Sequence, residues 1–365
     1  MAKSSKFLRA SRRSLLQGAA AVGLTFGAGG LAACGGGGGG RRVNFHNWTT
    51  YIGETTLADF RQATGIPVHD TYFASNDELF AQLRAGNPGY DVIVPSNEYV
   101  TRMGEAQMLQ ELDKSKIPNA SNILPEFQDA AYDPGRKYSM PYTWLVIGIG
   151  YRKSKVDGVP DSWKWLMDSN KYARKIALLG ESADLIRLGA KYLGSSLVGI
   201  TDARISEVEQ MLMRQKPNIL RFHSDDGQDL LAAGTVDLVM EYNGDIAQLM
   251  KEDDDIGFVV PKEGSMLNSD TLCIPTGAPH PEEAHAFINY LLDGEAGAKI
   301  AETIQFGTPN GAAKDRMPDS YKNNPIIYPP PDVMARCEYG AFEGDARAQL
   351  YEQVYTRISA ASGAE

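Results

Sequence analysis

The strongest constraint in this chain is an alternation of short apolar runs with amphipathic stretches, beginning at Val43. "RVNFHNW" is strand-like, "ETTLADFRQATG" reads as a helix stopped by Gly65, and "IPVHDTYFA" is strand-like again. "SNDELFAQLRAG" opens with Ser75 and Glu78 at capping-box spacing and carries Leu79, Phe80 and Leu83 on one helical face. "YDVIVPS" is a continuous apolar run of the kind buried on both faces, and the helical "NEYVTRMGEAQML" follows it. This β-α-β-α-β order implies a parallel sheet with helices on both sides, an α/β fold.

The middle of the chain repeats the theme. "KIALLGES" reads as a strand, "ADLIRLGAKYLG" and "ISEVEQMLMRQ" as helices, and "VDLVMEYNGD" as a strand leading into "IAQLM". Two extended stretches, "YSMPYTWLVIGIGYRK" at 138–153 and "SMLNSDTLCIP" at 265–275, read as connectors. "PEEAHAFINYLL" and "AGAKIAETI" are helical, and a last helix is expected near 345–359 after the Pro-rich "NNPIIYPPPD". No solenoid-type repeat is visible. About 330 residues beyond the leader exceed one ordinary hydrophobic core, so two lobes are expected.

The leader has a plan of its own. Lys3, Lys6, Arg9, Arg12 and Arg13 precede an Ala/Gly-rich apolar stretch without an acid among them, as in a signal peptide of the twin-arginine kind, "SRRSLL". "LAAC" then resembles a lipobox in which Cys34 is lipidated, with an ordinary cleavage site as the alternative. Six glycines at 35–40 follow, a composition that makes a flexible tether. The stretch is too weakly hydrophobic and too broken by glycine for a permanent transmembrane helix. Export is expected on either reading of Cys34. Removing residues 1–33 takes five positive charges from a net −10 and leaves −15. That acidity disfavours nucleic acid and anionic lipid as partners and permits cationic ones.

Enzyme signatures are missing from the sequence. There is no Gly-x-Ser-x-Gly, Walker A or Gly-x-Gly-x-x-Gly; "GESAD" ends in Asp where a nucleophile elbow needs Gly. The five scattered His and three Cys have no metal-ligand spacing, so neither metal nor cofactor is expected. The acidic run at 252–255 lacks calcium-loop spacing and reads as a solvated turn. Cys273, in the apolar "TLCIP", reads as a buried free thiol. The informative positions are the carboxyl ends of the expected strands, which in an open α/β sheet face the ligand crevice. Trp48 and Tyr51 follow the first strand, Ser96 and Glu98 the "DVIVP" run, Glu181 and Asp184 "KIALLG", and Tyr242 and Asp245 "VDLVME"; Asp270 lies in the second connector. Singly, each acid reads as a helix cap and each ring as core. Together, carboxylates among aromatics suit an amphipathic cation, with charge-assisted hydrogen bonds for ammonium heads and ring faces for methylenes.

These residues resemble the bacterial polyamine (spermidine/putrescine) receptors of ABC importers. The resemblance runs over roughly residues 42–357 and is carried by "NWTTYI", "TGIPV", "YDVIVPSNEYV", "LDKSKIPNASNI", "YSMPYTW", "IGIGY", "VPKEG", "INYLL", "AETIQFGTPN" and "YPPPD". It implies a two-lobed periplasmic-binding-protein fold of type II-like form, each lobe a mainly parallel sheet flanked by helices, joined by crossing hinge strands. The implied division is a leader at 1–33, a lipidated Cys and Gly-rich tether at 34–41, lobe 1 at 42–147 plus 271–318, and lobe 2 at 148–270 plus 319–361.

The resemblance further implies an exported, monomeric receptor without catalysis or cofactor, touching a membrane only through its lipid anchor and delivering its solute to a permease. Trp48, Tyr51 and Ser96 fall on pocket positions; Glu181 and Asp184 form a carboxylate pair with acid lengths exchanged relative to some relatives. Tyr242 replaces a Trp, Asp245 supplies the acid of "YNGD", and Phe306 stands where Tyr is common. Asp270 of "SDTLCIP" falls on the central ammonium-binding acid. The sequence departs from the pattern at Asn268, where an aromatic is frequent, at Glu98, and at Gly340 near a pocket Gln. Two alternatives stay open: a receptor of the same fold for another cationic amine or amino-acid conjugate, and a secreted hydrolase using Glu181 and Asp184 as an acid/base pair.

Overall fold

The structure is a computed structural model, described here over residues 40–224 and 226–361. The leader and Cys34 lie outside the described residues. In the first half of the fold, β1 (Val43–Asn47) is flanked by β2 (Val68–Tyr72) and β3 (Val92–Ile93), parallel to both. Helices α1 (Thr56–Thr64) and α2 (Asn76–Arg84) make the crossovers, and α3 (Asn97–Glu105) follows β3. The local chemistry explains the boundaries. Gly65, at φ 74°, ends α1 by donating its N–H to the Arg61 carbonyl. Ser75 caps α2 by accepting from the Glu78 N–H at 3.1 Å. The reciprocal arm of a capping box is shifted by one residue, since the Glu78 carboxylate accepts from the N–H of Ala74.

Next comes β4 (Ser139–Arg152), fourteen residues of which all but the last are buried. The second half repeats the first. After the single turn α4 (Lys164–Met167), β5 (Ile176–Leu179) lies between β6 (Ile219–His223) and β7 (Leu238–Tyr242), parallel to both. Helices α5 (Ser182–Tyr192), α6 (Asp202–Gln215) and α7 (Gly227–Ala232) make its crossovers, and α8 (Asn243–Met250) follows β7. Strand β8 (Ile256–Val259) pairs with β4, and β9 (Met266–Cys273) returns toward the first half. Helices α9 (Pro281–Leu291) and α10 (Gly294–Ile304) cover that half, and β10 (Glu338–Tyr339) adds to β9.

The sheet order β2-β1-β3-β9-β4-β7-β5-β6 therefore joins two parallel halves through an antiparallel pair, β9 and β4. Both expected connectors are these crossing strands. The apolar core divides at the same place. One cluster draws on residues between 43 and 145 and between 272 and 306, with Phe287 edge-on to Phe45 and Phe60. A second draws on residues between 147 and 266 and on the C-terminal helix Asp345–Ala360, around the buried Trp163.

Three local readings differ from the sequence. The α3 helix stops at Glu105, because Gln107 turns left-handed at φ 57° and the chain runs on to join β9's extension, Gln110 donating to the Ile274 carbonyl. Strands β6 and β8 are short and interrupted by Arg221 and Gly257, which hid their period. The acidic run is not simply solvated: Asp253 and Asp255 both take Arg152. Cys273 is buried, and Cys273 and Cys337 are free.

Candidate functional site

The carboxyl ends of β1, β3 and β7 open toward the middle of β9, and that convergence builds a small cavity of about 30 Å³. Asp270 is its centre. Its Oδ2 accepts from the Tyr51 hydroxyl at 2.7 Å and its Oδ1 from the Ser96 hydroxyl at 2.7 Å. Ser96 is itself placed by Asn76, whose side chain both donates to its hydroxyl and accepts from its N–H. Tyr51 is steadied by Thr143 at 2.5 Å. Two donors hold the carboxylate in one orientation and leave lone pairs unspent. Burial raises Asp270 to about 6, and the two hydroxyls resist that rise.

Aromatic rings wall the cavity. Trp48 is fixed by its indole N–H on the Val94 carbonyl at 2.9 Å and by Phe73, with ring centroids 4.4 Å apart. Phe306 meets Tyr51 edge-on at 5.1 Å and lies against Gly244, where a Cβ would come within 2.4 Å of the ring. Tyr242, at the end of β7, lines the other side together with Asp245 in the first turn of α8. Burial and the surrounding carboxylates hold the Tyr242 hydroxyl firmly protonated. Seven of the sequence-derived positions thus share one cavity: Trp48, Tyr51, Ser96, Tyr242, Asp245, Asp270 and Phe306.

The other three lie beyond it. Asp184, on α5, lies outside the cavity, and the amide of Asn268 in the cavity wall favours its charged form. Burial first, and then the neighbouring Glu98, push Asp184 up to about 8, while Arg187 works the other way. Glu181, the residue before α5, accepts from the Asn76 N–H at the start of α2 at 3.2 Å, a contact that links the two halves. Its carboxyl is pushed well up by burial and by the charges of Asp184 and Asp77. Glu98 is taken by Arg187 at 2.5 Å. Thr49, Leu145 and Asn268 also line the cavity, whereas Arg187 lines a separate pocket together with Glu98; sequence spacing gave no signal for Thr49, Leu145 or Arg187. Among the described residues no cluster of His, Cys, Asp or Glu is arranged to hold a metal ion.

Buried carboxylates with raised pKa values, ringed by aromatic faces, form an environment that a cation relieves. A positive guest supplies the counter-charge that burial has removed.

Comparison with known proteins agrees with this geometry. The profile of the family described as bacterial extracellular solute-binding protein matches residues 55–329. The chain is 33% identical over 322 residues to the "Spermidine/putrescine-binding periplasmic protein 1" of Haemophilus influenzae, covering 87% of this chain and 89% of that one. It is 29% identical to the "Putrescine/cadaverine-binding protein" of Pseudomonas aeruginosa, covering 80% and 86%. The solved structure of the "Putative spermidine/putrescine ABC transporter from Listeria monocytogenes" superposes with a TM-score of 0.84 at 30% identity, over 88% of this chain and 99% of that one.

Proposed function

The chain belongs to the bacterial extracellular solute-binding proteins, and from that premise we propose that it captures polyamines and passes them to an ABC permease. The observation that carries this reading is Asp270, buried, oriented by Tyr51 and Ser96, and enclosed by Trp48, Tyr242 and Phe306. One ammonium of the solute sits against Asp270, a second against Asp245 or Asp184, and the methylenes between them lie on the rings. The remaining site roles from the sequence belong to the same reading, Glu181 being a buried acid that an arriving cation draws toward its charged form. Lobe 1 is residues 42–147 plus 271–318 and lobe 2 is 148–270 plus 319–361, turning about β4 and β9. The ligand favours closure because it meets more carboxylate in the closed form than in the open one. No catalysis is required of any residue.

In the same reading the receptor is a monomer in the extracytoplasmic space, exported by its twin-arginine leader and tethered through lipid on Cys34. No helix among the described residues is long and apolar enough to cross a membrane. Cys34→Ser should release the receptor into the soluble fraction or block its processing; equal membrane recovery of mutant and wild type after a high-salt wash counts against the anchor. The solute is tested by calorimetry with putrescine, cadaverine and spermidine. One-to-one binding of an amine without product formation is expected. A protein that binds none of them, or turns one over, overturns the reading.

A further inference from the structure

We propose that Arg187 is a built-in cation closing the far end of the solute site, which restricts the receptor to short diamines. The inference rests on the polyamine reading and narrows its substrate class. Arg187 lies on α5 one turn beyond Asp184 and is 2% exposed. Its Nη1 donates to Glu98 at 2.5 Å and its Nη2 to the Ala341 carbonyl at 2.5 Å, so the guanidinium is clamped between α3 and the C-terminal segment. The ring of Tyr351 faces it with 5.5 Å from Cζ to the centroid. The guanidinium lies close against residue 340, a glycine. A Cβ there would stand 2.8 Å from Nη1 and 3.2 Å from Cζ.

A chain of contacts joins the cavity wall to this guanidinium: Ser269, between the wall residues Asn268 and Asp270, donates its N–H to Asn97 Oδ1, and Asn97 Nδ2 donates to the carbonyl of Gly340, against which Arg187 lies. Asp184, one turn before Arg187 on α5, feels the charges of both Glu98 and Arg187. A diamine fits between Asp270 and the acids at Asp245 and Asp184. A further charged nitrogen, extended past Asp184, meets a fixed positive charge whose nearest acid, Glu98, is already neutralised. Like charges buried together repel strongly, because little solvent screens them. The protein thus carries its own substitute for the extra ammonium of a triamine. Arg187 Nε has no hydrogen-bond partner among the described residues, and this unused donor defines the rival occupant, a solute carboxylate.

The test is calorimetry with putrescine, cadaverine, spermidine and ornithine on wild type, Arg187→Met, Glu98→Gln and the double variant, with ligand-free melting as control. Wild type should prefer the diamines to spermidine, and Arg187→Met, which leaves the Glu98 carboxylate for the extra nitrogen, should shift that ratio toward spermidine by about ten-fold or more, ~1.4 kcal/mol. Glu98→Gln should weaken every diamine by leaving the guanidinium uncompensated, and the double variant should recover them; this pair decides the matter if Arg187→Met folds poorly. An equal loss for all amines in Arg187→Met, with their ratio unchanged, makes Arg187 a tie between lobes and overturns the proposal. So does a wild type that prefers spermidine, or one that prefers ornithine and loses it in Arg187→Met. A wild type that binds no amine removes the polyamine reading itself.

Discussion

At the scale of single residues, Asp270 concentrates the argument. As a mere strand residue it would tolerate its near-isostere, and Asp270→Asn would move only the melting temperature. As the counter-charge of a buried ammonium, its loss costs roughly 3–5 kcal/mol. At ~1.4 kcal/mol per decade, that is on the order of a hundred-fold in affinity or more. Titration of Asp270→Asn with putrescine checks it, and an unchanged dissociation constant excludes Asp270 from the site. Asp184 carries a second prediction, about pH. Its carboxyl is raised from its ordinary value of 3.8 to about 8 in the folded protein. Between those values the folded state holds a proton that the unfolded state has released, so stability falls as pH rises. Asp270, raised to about 6, acts in the same direction. The ligand-free protein should therefore melt lower near pH 8 than near pH 5, and Asp184→Asn should flatten the slope. A bound diamine should restore more stability at the alkaline end, because it favours the charged forms. Scanning calorimetry with and without putrescine at both pH values is the measurement.

Among elements, the strand ends did the work, and they were readable. The alternating pattern located β1, β3, β5 and β7, and the rule that ligands gather at their carboxyl ends picked out Trp48, Tyr51, Ser96, Tyr242 and Asp245, which share one cavity with Asp270 of the second connector and with Phe306, a position implied by the resemblance alone. What the sequence could not carry was the third dimension between halves. Glu98 was read as facing solute, but its distance to Arg187 depends on how α3 and α5 meet. Neither the separation of 89 positions along the chain nor the helical period of α5 encodes that meeting. Gly340, read from the sequence as a departure near a pocket Gln, lies in the fold against the Arg187 guanidinium, a neighbour that the sequence did not signal. The first turn of α8 offers a test at this scale. Gly244→Ala places a methyl against the Phe306 ring, 2.4 Å from Cγ before any shift. The ring must move into the cavity or the helix must back away. Such overpacking costs about 1–3 kcal/mol in stability. Affinity should fall together with the melting temperature, and a variant that loses stability while keeping its affinity would place Phe306 outside the site.

For the whole molecule, the net charge of −10 and the enclosed carboxylates act at different ranges. The surface field draws cations in and is screened within about 8–10 Å at ordinary ionic strength, while the closed cavity is screened far less. Raising salt should slow association of putrescine clearly and change its dissociation little. Stopped-flow kinetics at two ionic strengths separates the two, and a dissociation rate that climbs with salt as steeply as association falls would mean an open, solvated site.

In the closure proposed above, the position of Asp270 on a crossing strand sets an order of events. Points near a pivot move least, so the Asp270 carboxylate keeps its place while the halves swing about β4 and β9. The acids on α5 ride the periphery of that swing. An arriving amine finds its first anchor already in position and its second only as the jaws shut. Recognition then runs as a sequence, in which β9 decides whether an amine is held at all and α5 decides whether the molecule stays closed long enough to hand it on.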